Sequence, residues 1–124
     1  MKDQGRSTRR RTGGRRRPKR DKRKYELGSE PTETQVGDQK LKTVDVRGTK
    51  TKVRAINADT ASIATDDGVV AAEITNVVEN PADPNYARRN IITRGAILDT
   101  TEGTIKVTSR PGQDGQVNGV LVEE

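Results

Sequence analysis

RGAILDTTEGTIKV, residues 94–107, alternates apolar and polar side chains on both sides of a short polar stretch containing a glycine. That is the pattern of a β-hairpin with one buried face. A four-residue loop from Thr100 to Gly103 sets Leu98 opposite Ile105 and Ala96 opposite Val107, leaving Ile97 and Lys106 on the other side. The same test works on its neighbours. In ASIATDDGVVAAE, a three-residue loop of Asp66, Asp67 and Gly68 places Ile63 opposite Ala71 and Thr65 opposite Val69, with Gly supplying the left-handed position of such loops. In VDVRGTKTKVRA, a two-residue loop at Gly48 and Thr49 sets Val44 opposite Val53, Val46 opposite Thr51 and Asp45 opposite Lys52. A last strand, QVNGVLVE, follows the turn PGQDG, where Pro and Gly punctuate strongly. Six or seven short strands at this spacing predict an all-β body, a small antiparallel β-barrel, with no helix beyond a turn in DPNYARRN.

Composition limits that body to a small aliphatic core. The chain has 124 residues, no Phe, Trp, Cys or His, two aromatics (Tyr25 and Tyr86) and a mean hydropathy of −0.95. Without Cys there are no disulfides or thiolate metal sites, and without His the commonest general base and metal ligand are missing. No cofactor or metal is expected. The basic N-terminus has no apolar segment behind it and no run of about 18 apolar residues occurs, so neither a secretory signal nor a membrane span is predicted. The chain reads as intracellular and soluble.

The net charge of +6 hides a division. Residues 1–24 hold 13 Lys or Arg against Asp3 and Asp21, a net of +11, whereas residues 25–124 hold 11 basic against 16 acidic groups, a net of −5. So dense a like-charge block without apolar periodicity predicts an intrinsically disordered N-terminal extension until a polyanion neutralises it. Gly5, Gly13 and Gly14 keep its backbone free, and Pro18 opposes a continuous helix. The expected organisation is a basic RNA-binding arm over 1–24, a linker over 25–39 and the barrel body over 40–124.

The polyanion is nucleic acid on two counts. A membrane-surface helix needs an apolar face, and residues 1–24 contain no Leu, Ile, Val, Phe, Trp or Tyr. Arg outnumbers Lys there, as bidentate phosphate contacts favour. The candidate contacts of the arm are Lys2, Arg6, Arg9, Arg10, Arg11, Arg15, Arg16, Arg17, Lys19, Arg20, Lys22, Arg23 and Lys24. The paired Gly13 and Gly14 serve as flexible backbone near phosphates, since TGGRRR lacks the spacing and context of a nucleotide-binding loop. In the body, the register at Gly48 puts Arg47 opposite Lys50, an unfavourable like-charge pair. With Lys52 and Arg54 it forms either a phosphate-contacting rim or an ordinary solvated strand. In NPADPNYARRNIITRGAIL, residues 80–98, Arg88, Arg89 and Arg94 are candidate phosphate ligands, and Tyr86 either stacks on an unpaired base or caps one end of the core. An enzyme would need a catalytic constellation; Asp66 and Asp67, the best paired carboxylates, are already explained by a hairpin turn.

These motifs carry a resemblance. RSTRRRTGGRRR with KRKYELG, then VRGTKTKVRA, NPADPNYARRNIITRGAIL and TSRPGQDGQVNGVLV, in this order and over nearly the whole chain, are similar to the S-eight-e family of small-subunit ribosomal proteins of archaea and eukaryotes. The compact length resembles an archaeal member. The resemblance implies a barrel-like β domain with an N-terminal extension, sitting as a monomer in the cytoplasmic ribosome against small-subunit ribosomal RNA and neighbouring ribosomal proteins. It implies no membrane, no small-molecule substrate and no enzymatic activity. The alternative is a non-ribosomal RNA- or DNA-binding chaperone or architectural protein, which would share the arm. The net-acidic body departs from the usual basic character of ribosomal proteins. In about 1 M salt the Debye length falls to about 3 Å, so an acidic surface is tolerable there, and a salt-loving archaeal source is expected.

Overall fold

The computed structural model describes residues 6–122. The chain divides into two units, Met1–Pro31 and Thr32–Glu124. The smaller unit is a basic extension with a turn at Arg10–Gly13 and a single 3₁₀ turn, Lys24–Glu26.

The larger unit holds eight strands: β1 (Gln35–Val36), β2 (Lys40–Asp45), β3 (Thr51–Ala58), β4 (Thr60–Thr65), β5 (Gly68–Glu79), β6 (Ile97–Thr100), β7 (Gly103–Val107) and β8 (Asn118–Leu121). Two short helices interrupt them, α1 (Pro84–Arg88) between β5 and β6 and α2 (Pro111–Asp114) between β7 and β8. Strands β4 to β8 close a five-stranded barrel, and β1, β3 and β2 form a separate three-stranded sheet in that order. The architecture is therefore β-rich as expected, with eight strands among the described residues, five of which enclose the barrel. Antiparallel ladders join β4 to β7 in sequence order, while β8 closes the ring by running parallel to β4, with Ser62 paired to Asn118 and Ala64 to Val120. Of the expected linker 25–39, residues from Thr32 onward are part of the larger unit. There Thr34 is buried, and its Oγ1 donates to the Ala55 carbonyl at 2.7 Å.

The core is aliphatic throughout. Ile63, Leu98, Ile105 and Val107 fill it with Ile92, Ala96, Val77 and Val117, each large side chain contributing roughly 1.5–3 kcal/mol by burial. Leu98 faces Ile105 across β6 and β7, and the Val107 amide donates to the Ala96 carbonyl at 2.9 Å, as the opening hairpin predicts. β5 spans two sides of the ring because its register shifts twice, between Ile74 and Asn76 and between Val77 and Glu79. Such irregularities bend a strand and re-aim its side chains; here Ala72 and Ile74 point inward, then Val77.

Two of the three expected registers are corrected by one residue. Ile63 pairs with Val70, not Ala71, and Thr65 pairs with Gly68, not Val69. The loop holds only Asp66 and Asp67, because the Thr65 hydroxyl donates to the Gly68 carbonyl at 2.9 Å and Gly68 enters the strand at φ +145°. An equivalent turn closes β6–β7: Thr100 Oγ1 donates to the Gly103 carbonyl at 2.7 Å, with Gly103 at φ +128°. In the β2–β3 hairpin, Val44 pairs with Lys52, Asp45 with Thr51 and Thr43 with Val53. Arg47 is therefore not opposite Lys50. The Val46 amide donates to the Lys50 carbonyl at 3.0 Å, and Arg47, Gly48 and Thr49 form the loop around Gly48 at φ +80°.

Candidate nucleic-acid interface

The arm is exposed at every residue from Arg6 to Tyr25. Its sequence RRR–TGG–RRR folds back on itself: Arg9 and Arg15 form an antiparallel bridge, and the Arg10 amide donates to the Gly14 carbonyl at 2.8 Å. The Arg16 amide donates to Thr8 at 2.8 Å and the Gly13 amide to Arg10 at 3.0 Å, with Gly13 at φ +88°. That backbone favours a residue without a Cβ, which gives Gly13 a defined role beyond flexibility. Two arginine triplets are thus held side by side by main-chain bonds, with Arg9 Nη1 donating to the Gly13 carbonyl at 3.1 Å and Arg16 Nε to the Arg9 carbonyl at 3.3 Å, although like charges across such a pair repel. A concavity of about 690 Å³ lies within the arm, lined by Arg6, Arg16, Arg17, Lys19, Arg20 and Lys22 with Glu26 as its acidic member. The Glu26 carboxylate accepts from Arg20 Nη2 at 2.6 Å and Nη1 at 3.1 Å, and from the Arg23 amide at 3.3 Å. The Arg20 hydrogen bond holds Glu26 below the usual carboxylate range, since donors to the charged form favour it. Lys2 lies outside the described residues, as does Gly5; Arg11, Arg23 and Lys24 are exposed alongside the rest.

In the body, the cationic residues gather on the three-stranded sheet. Arg47 and Lys50 are exposed at the β2–β3 loop, while Lys52 and Arg54 on β3 are half-buried. Lys52 Nζ donates to Gln113 Oε1 of α2 at 2.6 Å and Arg54 Nη1 to Thr32 Oγ1 at 3.1 Å; the Arg54 Nε is buried without a partner. Directly across from Arg54 stands Lys42. The corrected register thus moves the like-charge pair from Arg47 and Lys50 to Lys42 and Arg54. Sequence reasoning missed Lys42 and Lys40, although their spacing of two on an exposed strand was the available signal.

Tyr86, Arg88 and Arg89 sit on or beside α1. Asp83 caps this helix by accepting the Asn85 amide at 2.9 Å, and Pro84 opens it, the preferred residues for those positions. Asn80 anchors the whole loop: its Nδ2 donates to the Ile91 carbonyl at 3.1 Å, and its Oδ1 accepts from the Ala82 amide at 3.0 Å and from Thr93 Oγ1 at 2.9 Å. Arg88 and Arg94 are exposed, whereas Arg89 is tied to Glu33 by a 2.7 Å salt bridge. Tyr86 is half-buried on α1, whose Ala87 packs against the core. Tyr25, adjoining the basic run, is 75% exposed. Of the two aromatics it is the one with an open ring face. Among the described residues there is no group of three or more acidic side chains arranged to hold a metal, and no helix long and apolar enough to cross a membrane.

A family model described as ribosomal protein S8e matches residues 3–122. The chain belongs to the ribosomal protein S8e family. Three archaeal proteins illustrate the similarity. A small ribosomal subunit protein eS8 of Haloarcula marismortui is 68% identical over 123 residues, covering 99% of this chain and 100% of the relative. The protein of the same name from Halobacterium salinarum is 57% identical over 124 residues, with both chains fully covered. That of Methanobrevibacter smithii is 48% identical over 122 residues, covering 96% and 97%. The S8e family resemblance expected from the motifs is thus established over nearly the full length, and this S8e chain is an archaeal-type, non-enzymatic ribosomal protein.

Proposed function

We propose that this S8e chain is a structural constituent of the small ribosomal subunit, in the cytoplasm, binding ribosomal RNA through its N-terminal arm and the basic sheet of its body. The observation that carries this reading is the density of exposed cations on the arm, with six Lys or Arg lining one concavity. Phosphate oxygens entering it would relieve the repulsion among the guanidinium groups of Arg6, Arg16, Arg17 and Arg20 that line it, and released counterions would supply the driving force. The arm, short of apolar contacts of its own, becomes fully ordered as it threads between RNA helices, with binding free energy offsetting the ordering cost. Exposed Arg88 and Arg94, and Lys42 with Arg54, add phosphate contacts from the body, while Tyr25 offers a ring for base stacking. A salt-loving source fits the body's net charge of −5, because screening leaves close phosphate contacts and removes long-range repulsion.

The test has two parts. Native lysate is sedimented through a sucrose gradient in salt that keeps ribosomes intact, and the protein is quantified across it. Stoichiometric co-sedimentation with small subunits, surviving a wash in elevated salt, supports the proposal; protein left at the top of the gradient supports the alternative of a free nucleic-acid chaperone. Deleting residues 1–24 should then flatten the salt dependence of RNA affinity, which falls by about 0.7–0.9 log units per log unit of salt for each phosphate contact. An unchanged slope would remove the arm from the interface.

A further inference from the structure

The outside of the barrel carries a surface whose chemistry is the opposite of the arm's. Ala64 on β4 pairs with Val69 on β5 on one side and with Val120 on β8 on the other, so three outward apolar side chains lie abreast across three strands. Val69 is 74% exposed; Val120, across Ala64, and Val122, two residues further along the chain, are exposed as well. Scattered exposed aliphatics need no explanation, but a contiguous set with a polar rim marks an interaction surface. Here the rim is acidic. Asp66 and Asp67 occupy the turn immediately before Val69, and Glu102 occupies the β6–β7 turn. Between Ala55 and Ala87 the chain has six acidic residues and no Lys or Arg; Lys106, paired with Val120, bounds the patch on the β7 side.

We propose that this face, built on Val69, Ala64 and Val120 and rimmed by Asp66, Asp67 and Glu102, docks a segment of a neighbouring protein that brings apolar side chains flanked by Lys or Arg. The inference rests on the ribosomal reading above for the partner's setting. RNA is the wrong occupant, because carboxylates repel phosphates and the patch has no aromatic ring for a base to stack on. A second copy of this chain presenting the same face would set acid against acid, and its arm brings cations without aliphatic side chains. Ala64 is paired on both sides, by Val69 and Val120, whereas among the described residues Gly68–Ala72 of β5 ladder with β4 alone, the β6 ladder beginning at Ile74; the partner therefore engages the apolar side chains and can also lie along that free β5 edge. Complementary charge in close contact around an apolar centre gives such a docking its specificity.

The experiment places photoreactive benzoylphenylalanine at position 69 in place of Val69, and in a second strain at position 25 in place of Tyr25, and irradiates purified small subunits. The expected result is an RNase-resistant adduct from position 69, mapping to a Lys- or Arg-rich segment of another protein, and an RNase-sensitive adduct from position 25. Asp66→Asn with Asp67→Asn should lower the position-69 yield several-fold. An RNA adduct, an adduct with a second copy, an uncharged partner segment, no adduct at all, or a yield indifferent to the Asn substitutions would each overturn the docking proposal while the labelled protein still sedimented with subunits. Labelled protein absent from the subunits would overturn the ribosomal reading and the docking with it.

Discussion

Lys42 stands directly across the β2–β3 ladder from Arg54, whose guanidinium is half-buried and whose Nε has no partner. Two cations at that spacing repel, by roughly 0.2–1 kcal/mol for a directly opposed pair. Lys42→Ala should therefore stabilise the free protein by up to about 1 kcal/mol in low salt, read from urea denaturation, and the gain should shrink as salt rises. The same substitution should weaken RNA binding and lower the salt slope by about one contact. A variant that is neither more stable nor weaker in binding would make the pair an ordinary solvated edge.

Asn80 satisfies three partners at once where the chain leaves β5. Asn80→Ala leaves the Ile91 carbonyl and Ala82 amide without it, and unmade buried hydrogen bonds cost about 1–3 kcal/mol. Thermal unfolding should report that loss, and amide exchange should quicken across residues 81–90. Because α1 carries Tyr86 and Arg88, RNA affinity should fall even though neither residue is altered.

Gly115 ends α2 at φ +76°, and a Cβ there would lie 2.8 Å from Val53 Cγ1 and 3.0 Å from the Val53 carbonyl oxygen. The left-handed conformation and the overlap act together, so Gly115→Ala should cost about 2–4 kcal/mol. For a domain of this size that lowers Tm by about 8 °C or more. A drop under about 3 °C would mean that α2 and β3 separate easily.

The Arg20–Glu26 pair gives the arm a pH dependence of known sign. Glu26 titrates below the ordinary glutamate range because Arg20 donates to its carboxylate. A depressed folded value means that the pairing is complete at neutral pH and is lost as pH falls through that value. A carbon-13 NMR titration of the Glu26 carboxyl should show the depression, and Arg20→Ala should raise the midpoint towards that of a free glutamate. Equal midpoints in the two proteins would show that Arg20 does not grip Glu26 in solution.

Why one hairpin was legible in full and two were off by a residue comes down to turn chemistry. At Thr100–Gly103 a four-residue and a two-residue loop share the same centre, so Leu98 meets Ile105 under either count. At Asp66–Gly68 they do not, because counting Gly68 as loop moves the centre by half a residue. The deciding contact, a threonine hydroxyl on a glycine carbonyl, leaves no trace in an apolar pattern. At Gly48 the match of Val44 with Val53 misled because burial on the barrel side does not police register there: α2 approaches Val53 through Gly115, and Val44 faces Lys52. The parallel closure of β8 on β4 was invisible, since nothing local distinguishes it from another hairpin. The arm's cations were plain from composition, whereas Lys42 emerged only when the register was known.

The pairing of β8 with β4 also orders events in time. Contacts between segments far apart in the chain form slowly and cannot begin until both segments have been synthesised. The ring therefore stays open while β4 to β7 emerge and closes only when β8 arrives, whereas the arm is complete first and needs no tertiary partner. On the proposed role of the arm, its arginines would meet their polyanion before the barrel exists, which would make capture of the target and completion of the fold separable steps, in that order.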